Sequence, residues 1–305
     1  MAKTVIVTGA SGFLGRHVAF DWATAGHRVL GLGREDWPEK EWRAWGLAAW
    51  ACGDVSHGAL AAFGECPDVV VHCAGSGSVA FSYQDPAADF TSTVGTLLAT
   101  LEFLRLLAPE ASLVYPSSAA VYGEVTQLPV RVDAAFRPAS PYGTHKLVAE
   151  HLCRSHARHF GLKVAIVRLF SLYGPDLRKQ LLWDACVKFS KGEATFLGTG
   201  QEIRDWVQVK DAAMLMRVAA DHADMACGVV NGASGTGITV REVLTLLREA
   251  FPGVPPLTFT AKAKAGDPTA YVGDNTGALA WGWHPSIPLQ EGINEYAMWF
   301  QQGRT

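Results

Sequence analysis

The chain opens with a strand-like run, a glycine-rich turn and a helical pattern. Residues 5–8 are apolar or β-branched, and Gly9, Gly12 and Gly15 follow at intervals of three. Glycines at this spacing let the chain turn tightly and bring backbone N–H groups close to a pyrophosphate, to which the helix N-terminus adds a partial positive charge. Because the turn lies between a strand and a helix, it predicts a dinucleotide phosphate site, the alternative being a glycine-rich turn without a ligand. The predicted contacts are Gly9, Ser11, Gly12, Phe13, Leu14 and Gly15.

Short strand-like runs alternate with helical patterns through the first half of the chain. Several runs are continuously apolar, as expected for parallel strands that are covered by helices on both faces. The predicted strands are residues 4–8, 28–32, 48–52, 68–73, 112–116 and 164–169. This alternation predicts an α/β fold with a doubly wound parallel sheet, the Rossmann arrangement.

Two of the predicted helices have clear boundaries. One runs over residues 90–107 with an apolar stripe along one face, and Pro109 ends it. The other has Ser140 as its N-cap and Pro141 in its first turn, and it ends at Gly161.

The strand and helix alternation loosens after about Phe170. We therefore expect two domains, which suits a chain of 305 residues. Residues 1–170 are predicted to form the dinucleotide-binding domain. Near residues 206–235 the chain is expected to return to the sheet of this domain, with segments at about 206–209 and 228–231. Residues 171–305 are predicted to form mainly a smaller, discontinuous substrate-binding domain.

Composition limits the classes of binding partner and the cellular compartment that we expect for this protein. The net charge is -3 and no basic stripe occurs, which argues against a nucleic-acid partner. The six cysteines show no CxxC pair or metal-ligand spacing, which predicts reduced thiols and no metal site. The N-terminus lacks signal-peptide features, and we find no apolar run of the roughly 18 residues that a membrane helix needs. We therefore expect a soluble, cytoplasmic protein without a membrane partner.

The end of the second predicted strand bears on the choice of dinucleotide. NAD sites usually place a carboxylate there for the adenosine 2′-hydroxyl, whereas this chain has Gly33 and Arg34. An arginine can pair with a 2′-phosphate through charge-assisted hydrogen bonds, so NADP is favoured over NAD. The alternative is that Arg34 is an ordinary loop residue and that Asp36 or a backbone group holds the ribose. Asp54 and Val55, after the third strand, are candidates to face the adenine, although an aspartate there also suits a turn.

Three residues predict acid–base chemistry at the carboxyl edge of the sheet. Tyr142 and Lys146 are four apart on a helix and share a face. An ammonium about 4 Å from the phenol would contribute on the order of 4 kcal/mol and lower its pKa by some three units. Tyr142 is therefore a candidate proton carrier, and Lys146 can also hold the nicotinamide ribose. Ser118 follows the fifth strand, where a hydroxyl can orient the reacting oxygen, although a surface pair and a turn-forming serine are the plainer alternatives.

Six ordered motifs together resemble an extended short-chain dehydrogenase/reductase, the family of nucleotide-sugar epimerases, dehydratases and ketoreductases. The motifs are residues 9–15, 117–123, 140–146, 168–175, 204–211 and 266–268. The resemblance identifies Ser118 as the catalytic serine beside Tyr142 and Lys146. It implies a nucleotide-diphosphate sugar as substrate and a homodimer built from two helices of each subunit, the helix over 90–107 and the helix that carries Tyr142. We expect the outer faces of those helices to include Leu101, Leu104, Leu147 and Leu152.

The resemblance also assigns residues that contact substrate. Arg204 corresponds to the arginine that clamps the diphosphate, and Lys264 stands where the family has a second arginine. Ser171 replaces a usual asparagine, and Phe196 either flanks the base or belongs to the core. Thr93 replaces another family asparagine, without a functional explanation from sequence. His72 and His145 are expected to be packing or rim residues.

Ala119 and Ala120 replace the acidic residues with which the family's dehydratases expel water, so we do not expect dehydration. The remaining prediction is NAD(P)-dependent oxidoreduction at C4 of a nucleotide-diphosphate hexose. Arg34 favours a 4-ketoreductase that uses NADPH. A 4-epimerase that retains NAD is the alternative, and a non-catalytic dinucleotide-binding regulator is the alternative of another class.

Overall fold

The computed structural model describes residues 1–261 and 269–303. Its largest sheet has seven parallel strands in the order β10-β6-β5-β4-β1-β2-β3. The strands of the described residues are β1 Thr4–Thr8, β2 Arg28–Gly33, β3 Ala49–Cys52, β4 Val69–His72, β5 Ser112–Ser118, β6 Lys163–Leu169, β7 Ser171–Tyr173, β8 Thr195–Phe196, β9 Ile203–Gln208, β10 Gly228–Gly232, β11 Gly237–Thr239 and β12 Thr258–Phe259. The strand order reverses between β1 and β4, which opens a crevice at the carboxyl ends of those strands. The predicted doubly wound parallel sheet is confirmed.

Helices cover both faces of this sheet. The helices of the described residues, including those of the smaller domain, are α1 Phe13–Thr24, α2 Glu39–Ala44, α3 His57–Ala61, α4 Val79–Gln84, α5 Pro86–Phe90, α6 Thr96–Leu107, α7 Pro141–Phe160, α8 Gln180–Phe189, α9 Val209–Asp221, α10 Val240–Arg248, α11 Thr276–Ala280 and α12 Leu289–Gln302. In β1, Val5 and Val7 pack under α1 and α9, whereas Ile6 packs under α6 and α7. Both faces of one strand are therefore buried, which explains its continuous apolar run.

The boundaries of α7 follow the caps read from the sequence. The Ser140 Oγ accepts a hydrogen bond from the Gly143 backbone N–H at 3.2 Å, and Gly161 ends the helix with a φ of 72°. Glycine adopts this left-handed conformation without strain.

The helical stretch Pro86–Leu107 consists of α5, a π-helical turn Thr91–Gly95 and α6. It has 22 residues, and an 18-residue window within it has a mean hydropathy of 1.2, so by length and composition this stretch could cross a membrane. This differs from the prediction that no apolar run reaches the length of a membrane helix. The inner face of α6 packs against the seven-stranded sheet, an arrangement that the core helix of a globular domain also has.

The leucines proposed for the dimer face need a correction. Leu101 and Leu104 are 0% exposed and pack against the sheet, together with Leu97. Positions 97, 101 and 104 lie on one side of a helix, so the apolar stripe read from the sequence is the stripe that faces the core. Leu147 and Leu152 are half-buried. The outward apolar side chains of these two helical segments include Phe90, Leu98, Leu106 and Phe160.

The second half of the chain builds a separate core. β7, β9 and β11 form a three-stranded sheet, and β8 pairs with β12. Helices α8, α10 and α12 pack together around Phe189, Phe251 and Phe300. The sequence predicts a return to the large sheet at residues 206–209. This is wrong, because these residues lie mainly in β9 of the smaller sheet. Only β10, of the two expected return segments, joins the large sheet, where it lies beside β6.

Candidate active site

The glycine turn after β1 has the geometry of a phosphate-binding loop. Gly9 has a φ of +65°, and a Cβ added to it would lie 2.8 Å from the Ala74 backbone nitrogen. A Cβ on Gly15 would overlap the Gly9 carbonyl oxygen. Helix α1 begins with Gly12 as its N-cap and without a side-chain cap, so its first turn presents backbone N–H groups to the crevice. These residues fit the pyrophosphate of a dinucleotide.

Arg16 braces this loop, and sequence reasoning missed it. Its guanidinium donates from Nε to the Ser11 carbonyl at 3.2 Å and pairs with Asp176 at 3.2 Å. The guanidinium carbon lies 5.5 Å from the Trp37 ring centroid and 5.4 Å from that of Trp45. Arg16 thus connects the phosphate loop to the residues that follow β7.

The adenosine end of the crevice lies beside β2 and β3. Arg34 is exposed immediately after β2, and none of the described residues hydrogen-bonds its guanidinium. The Gly53 N–H donates to the Gly33 carbonyl at 2.7 Å, which places the following Asp54 and Val55 at the same edge. Asp54 is exposed, whereas Val55 is half-buried against the core.

The structure brings the three predicted catalytic side chains together. Ser118 ends β5, and its Oγ accepts from the Ala120 N–H at 3.2 Å and lies close enough to the Tyr142 phenol to act on its pKa. Lys146 lies one turn along α7 from Tyr142 and is 6% exposed. Its Nζ donates to the Pro116 carbonyl at 3.0 Å and lies 6.0 Å from the centroid of the Tyr142 ring. A hydroxyl, a phenol and an ammonium therefore lie close together at the carboxyl edge of the sheet.

The ionisation of this cluster differs from the expectation. Burial raises the pKa of Tyr142, the nearby Ser118 hydroxyl partly offsets this, and the charge of Asp89 raises it further. Burial also lowers the pKa of Lys146 to about 8. The predicted lowering of the Tyr142 pKa by Lys146 is thus wrong for this structure, because the ammonium is directed at the Pro116 carbonyl and desolvation dominates.

The depressed pKa of Lys146 predicts a specific pH dependence of stability. The unfolded chain binds this proton more tightly, with a pKa of about 10.4, so the penalty for burying the ammonium is complete below pH 8. As pH rises from about 8 to 10.5 the penalty is relieved, and the free energy of unfolding should rise on the order of 3 kcal/mol relative to Lys146→Met. Urea unfolding of both proteins at pH 7.5 and 10 measures this difference. Replacing the exposed Lys40 by Met is the control, and an equal pH response in all three proteins would contradict the assignment.

A buried polar network lies behind the serine. The Ser117 Oγ donates to the Glu150 carboxylate at 2.7 Å, and Arg168 pairs with the same carboxylate through two hydrogen bonds of 2.9 and 2.7 Å. Arg168 also donates to the Tyr122 hydroxyl at 2.9 Å, which donates in turn to Asn231 at 2.7 Å. Glu150 and Arg168 are 0% and 1% exposed. This network joins β5, β6, β10 and α7 directly beneath Ser118.

The loop after β4 completes the site, and it too was missed. The Thr93 hydroxyl, in the π-helical turn, accepts from the Ser76 N–H at 3.4 Å, which gives a structural role to a residue left unexplained. His72 is buried among the hydroxyls of Thr8, Thr96 and Thr100, and burial lowers its pKa to about 3. Gly75, in this loop, has a φ of 135° and lies close to the π-helical turn. In the sequence, the signal for this loop is a glycine shortly after a strand.

His145 and the buried Asp89 form a pair beside this loop, with 2.5 Å between Nδ1 and Oδ2. His145 is therefore held by a carboxylate, as a packing or rim residue would be. Among the described residues, no group of three His, Cys, Asp or Glu side chains is placed to hold a metal ion.

The predicted substrate-binding residues differ in their burial and in their position in the fold. Arg204, in β9, is half-buried and donates to the Ile203 carbonyl at 2.8 Å, and Ser171 is half-buried at the start of β7. Phe196 is 4% exposed and packs edge-on against Phe189, which favours the core role that the sequence left open. Lys264 lies outside the described residues.

The parallel sheet, the glycine loop and the serine, tyrosine and lysine cluster define an enzyme of the extended short-chain dehydrogenase/reductase class. The sequence model of the NAD dependent epimerase/dehydratase family matches residues 5–231. The chain belongs to this family.

Individual relatives share both sequence and fold with the chain. A UDP-glucose 4-epimerase of Azospirillum brasilense is 29% identical, and the match covers 96% of this chain and 90% of that protein. The structure of a UDP-glucose 4-epimerase with UDP-glucose from Thermotoga maritima has a TM-score of 0.89 at 25% identity and covers 99% of this chain and all of that one. A Thermus thermophilus UDP-glucose 4-epimerase in complex with NAD has a TM-score of 0.86 at 29% identity, with coverage of 98% and 99%.

Proposed function

We propose that the protein is a nucleotide-sugar 4-epimerase that retains NAD and acts on a UDP-linked hexose. The observation that carries this proposal is the cluster of Ser118, Tyr142 and Lys146 next to the glycine loop, without an acid at positions 119 and 120. The names of the relatives support the epimerase over the 4-ketoreductase, the reaction that Arg34 alone favoured. A 4-ketoreductase remains the second candidate, on the same chemistry at C4.

Each side chain of the cluster has a role in this proposal. When bound, NAD supplies a hydride acceptor and donor for C4 and a positive charge near the phenol. Tyr142 exchanges the proton of the C4 hydroxyl, and Ser118 orients the same oxygen. Lys146 holds the nicotinamide ribose. Since burial raises the pKa of Tyr142, the tyrosine depends on the positive charge of bound NAD to act as a base near neutral pH.

The residues beside Ser118 argue against water elimination. Ala119 is buried and Ala120 is half-buried, and neither side chain can donate or accept a proton. Dehydration at C6 needs such a group. The proposal is therefore limited to hydride and proton transfer at C4.

Direct assay of purified protein tests the proposed function. The protein is incubated with UDP-, GDP-, CDP- and dTDP-hexoses, and products are followed by NMR and mass spectrometry. We expect the 4-epimer of a UDP-hexose, at unchanged mass and without added cofactor. Turnover only of a 4-keto sugar with added NADPH would establish the ketoreductase instead. Loss of one water from any of these substrates would overturn the proposed chemistry of the site.

The cofactor is a separate proposal. We propose NAD, in keeping with the NAD complex of the Thermus thermophilus relative, and we propose Arg34 as the residue that would pair with the 2′-phosphate of NADPH. Replacing Arg34 by Ala should then weaken NADPH binding about ten- to hundredfold, because a charge-assisted phosphate contact contributes about 1.5–3 kcal/mol. The affinity for NADH should stay near the wild-type value. Dissociation constants for both cofactors on both proteins measure this, and an NADPH affinity unchanged by the substitution would refute the role of Arg34.

We further propose a cytoplasmic homodimer that buries the outward apolar side chains of α6 and α7. Those side chains include Leu98, Leu106 and Phe160, which are 42%, 53% and 51% exposed. Buried side chains such as Leu101 and Leu104 cannot contribute to this interface.

A further inference from the structure

The segment that follows β7, residues 175–180, is held tightly against the cofactor-binding half. The Pro175 carbonyl lies 3.1 Å from the His17 Nε2, Asp176 pairs with Arg16, and the Leu177 carbonyl accepts from the Tyr296 hydroxyl at 2.7 Å. These contacts come from α1 on one side and α12 on the other. The backbone of this segment is therefore fixed relative to the phosphate loop.

The same segment contains two unusual backbone conformations. Asp176 has a φ of 72° and Gln180 has a φ of 68°, both in the left-handed region that residues other than glycine rarely adopt. Such strain persists when surrounding contacts impose it, and it is concentrated at ligand sites and switch regions. Lys179 lies between the two strained positions and has an extended backbone conformation. The strained residues on both sides therefore fix the direction in which the Lys179 side chain leaves the backbone.

Lys179 reaches across the cleft between the two halves of the protein. Its Nζ lies 3.4 Å from the Gly77 carbonyl oxygen, in the loop that follows β4. A Cβ on Gly77 would lie 3.2 Å from the same ammonium. The absence of a side chain at Gly77 therefore provides the space in which the Lys179 ammonium lies. Ser76, next to Gly77, is the residue held by Thr93, and Cys73, at the start of the same loop, lies near Lys146. The ammonium therefore stands over the loop that borders the catalytic cluster.

Among the residues that the structure describes, none places a counter-charge beside this ammonium. Across residues 1–261 and 269–303, no carboxylate lies within ion-pair distance of the Lys179 Nζ, and the hydrogen bond to the Gly77 carbonyl is long. The residue as a whole is exposed, yet partial burial lowers the pKa of its ammonium. A cation held in place without an anion is suited to receive one from a ligand.

We propose that Lys179 is a substrate-binding residue that pairs with an anionic oxygen of the nucleotide sugar when the sugar enters the cleft between residues 76–78 and the segment after β7. This inference rests on the proposed function for the identity of the ligand. Two parts of such a ligand carry the required charge. One is the diphosphate, which every nucleotide sugar has, and the other is the carboxylate of a uronic acid sugar.

The test compares Lys179→Met with Lys191→Met, which removes the same charge beyond the far end of α8. Calorimetry on NAD-loaded protein measures the dissociation constants of UDP, UDP-glucose and UDP-glucuronate. We expect Lys179→Met to weaken binding about ten- to hundredfold, the size of a lost charge-assisted hydrogen bond. Lys179→Arg should keep most of the affinity, and Lys191→Met should resemble wild type. Thermal unfolding of each variant checks that the fold is intact.

The three ligands separate the two anions. An equal loss for all three assigns the contact to the diphosphate, and a loss confined to UDP-glucuronate assigns it to the sugar carboxylate. Either result supports the proposal. Dissociation constants that Lys179→Met leaves as close to wild type as Lys191→Met does would overturn it. Failure of the proposed function is a different result, in which the wild-type protein itself neither binds these ligands nor epimerises a UDP-hexose.

Discussion

Replacing Tyr142 by Phe should abolish turnover and leave NAD and nucleotide binding nearly intact. The change removes the phenol oxygen and keeps the ring, which lies half-buried at the start of α7. Proton transfer by a positioned side chain contributes typically 10²–10⁴-fold in rate, roughly 3–5 kcal/mol of barrier. Steady-state kinetics on the competent UDP-hexose, with dissociation constants for NAD and UDP, measure both parts of this prediction.

Tyr83→Phe is the matched control for that experiment. Tyr83 is 61% exposed, and its hydroxyl donates to the Ala139 carbonyl just before α7, so the same substitution is made close to the helix but outside the cluster. Its rate should stay near that of wild type. Ser118→Ala should be intermediate, because water can partly replace one hydroxyl. If the Tyr142→Phe protein keeps more than about a tenth of the wild-type rate, the proton comes from another group and the assignment of Tyr142 fails.

Replacing Glu150 by Met should destabilise the protein by about 3–5 kcal/mol. The carboxylate is fully buried and makes two hydrogen bonds with Arg168, itself 1% exposed. The substitution leaves the guanidinium in the interior without a counter-charge, and this desolvated cation dominates the loss. The Ser117 hydroxyl also loses its acceptor. Urea unfolding followed by circular dichroism measures the difference in free energy of unfolding.

An exposed ion pair provides the comparison. Glu39 pairs with Arg43 on α2 with both side chains more than half exposed, so Glu39→Met should cost less than about 1 kcal/mol. The double variant Glu150→Met with Arg168→Met should recover part of the loss, since it removes the unpaired charge as well. A loss for Glu150→Met no larger than that for Glu39→Met would show that the buried network does not stabilise the fold.

Local sequence patterns were sufficient for the framework of the fold. The six predicted strands of the first half all occur within a few residues of their predicted limits, because strands buried on both faces leave continuous apolar runs. The start and end of α7 were readable from Ser140, Pro141 and Gly161, since capping depends on a few neighbouring residues. The family followed from ordered motifs, and the placement of Ser118, Tyr142 and Lys146 agrees with the spacing that suggested them.

Other features depend on which elements meet in three dimensions. The apolar stripe of α6 was visible in the sequence, but only packing shows that Leu101 and Leu104 face the sheet and are unavailable to a partner. The strand β9 has the composition of a sheet strand, yet its pairing with β7 and β11 is set by contacts that are remote in the chain. Periodicity specifies that a face is buried and leaves open what buries it.

The electrostatics of the site show the same division. The spacing of Tyr142 and Lys146 put both side chains on one face of a helix, which is a local property of the chain. Whether the ammonium lowers the pKa of the phenol depends on desolvation and on the Pro116 carbonyl, 30 residues away, which takes the Lys146 hydrogen bond. Lys179 meets Gly77 across 102 residues of sequence. The sequence by itself determined the sheet, the phosphate loop and the chemical groups of the site, because these follow from short-range pattern and composition. Their burial, charge partners and reach across the cleft were decided by the tertiary structure, because desolvation and Coulomb interactions depend on distance in space.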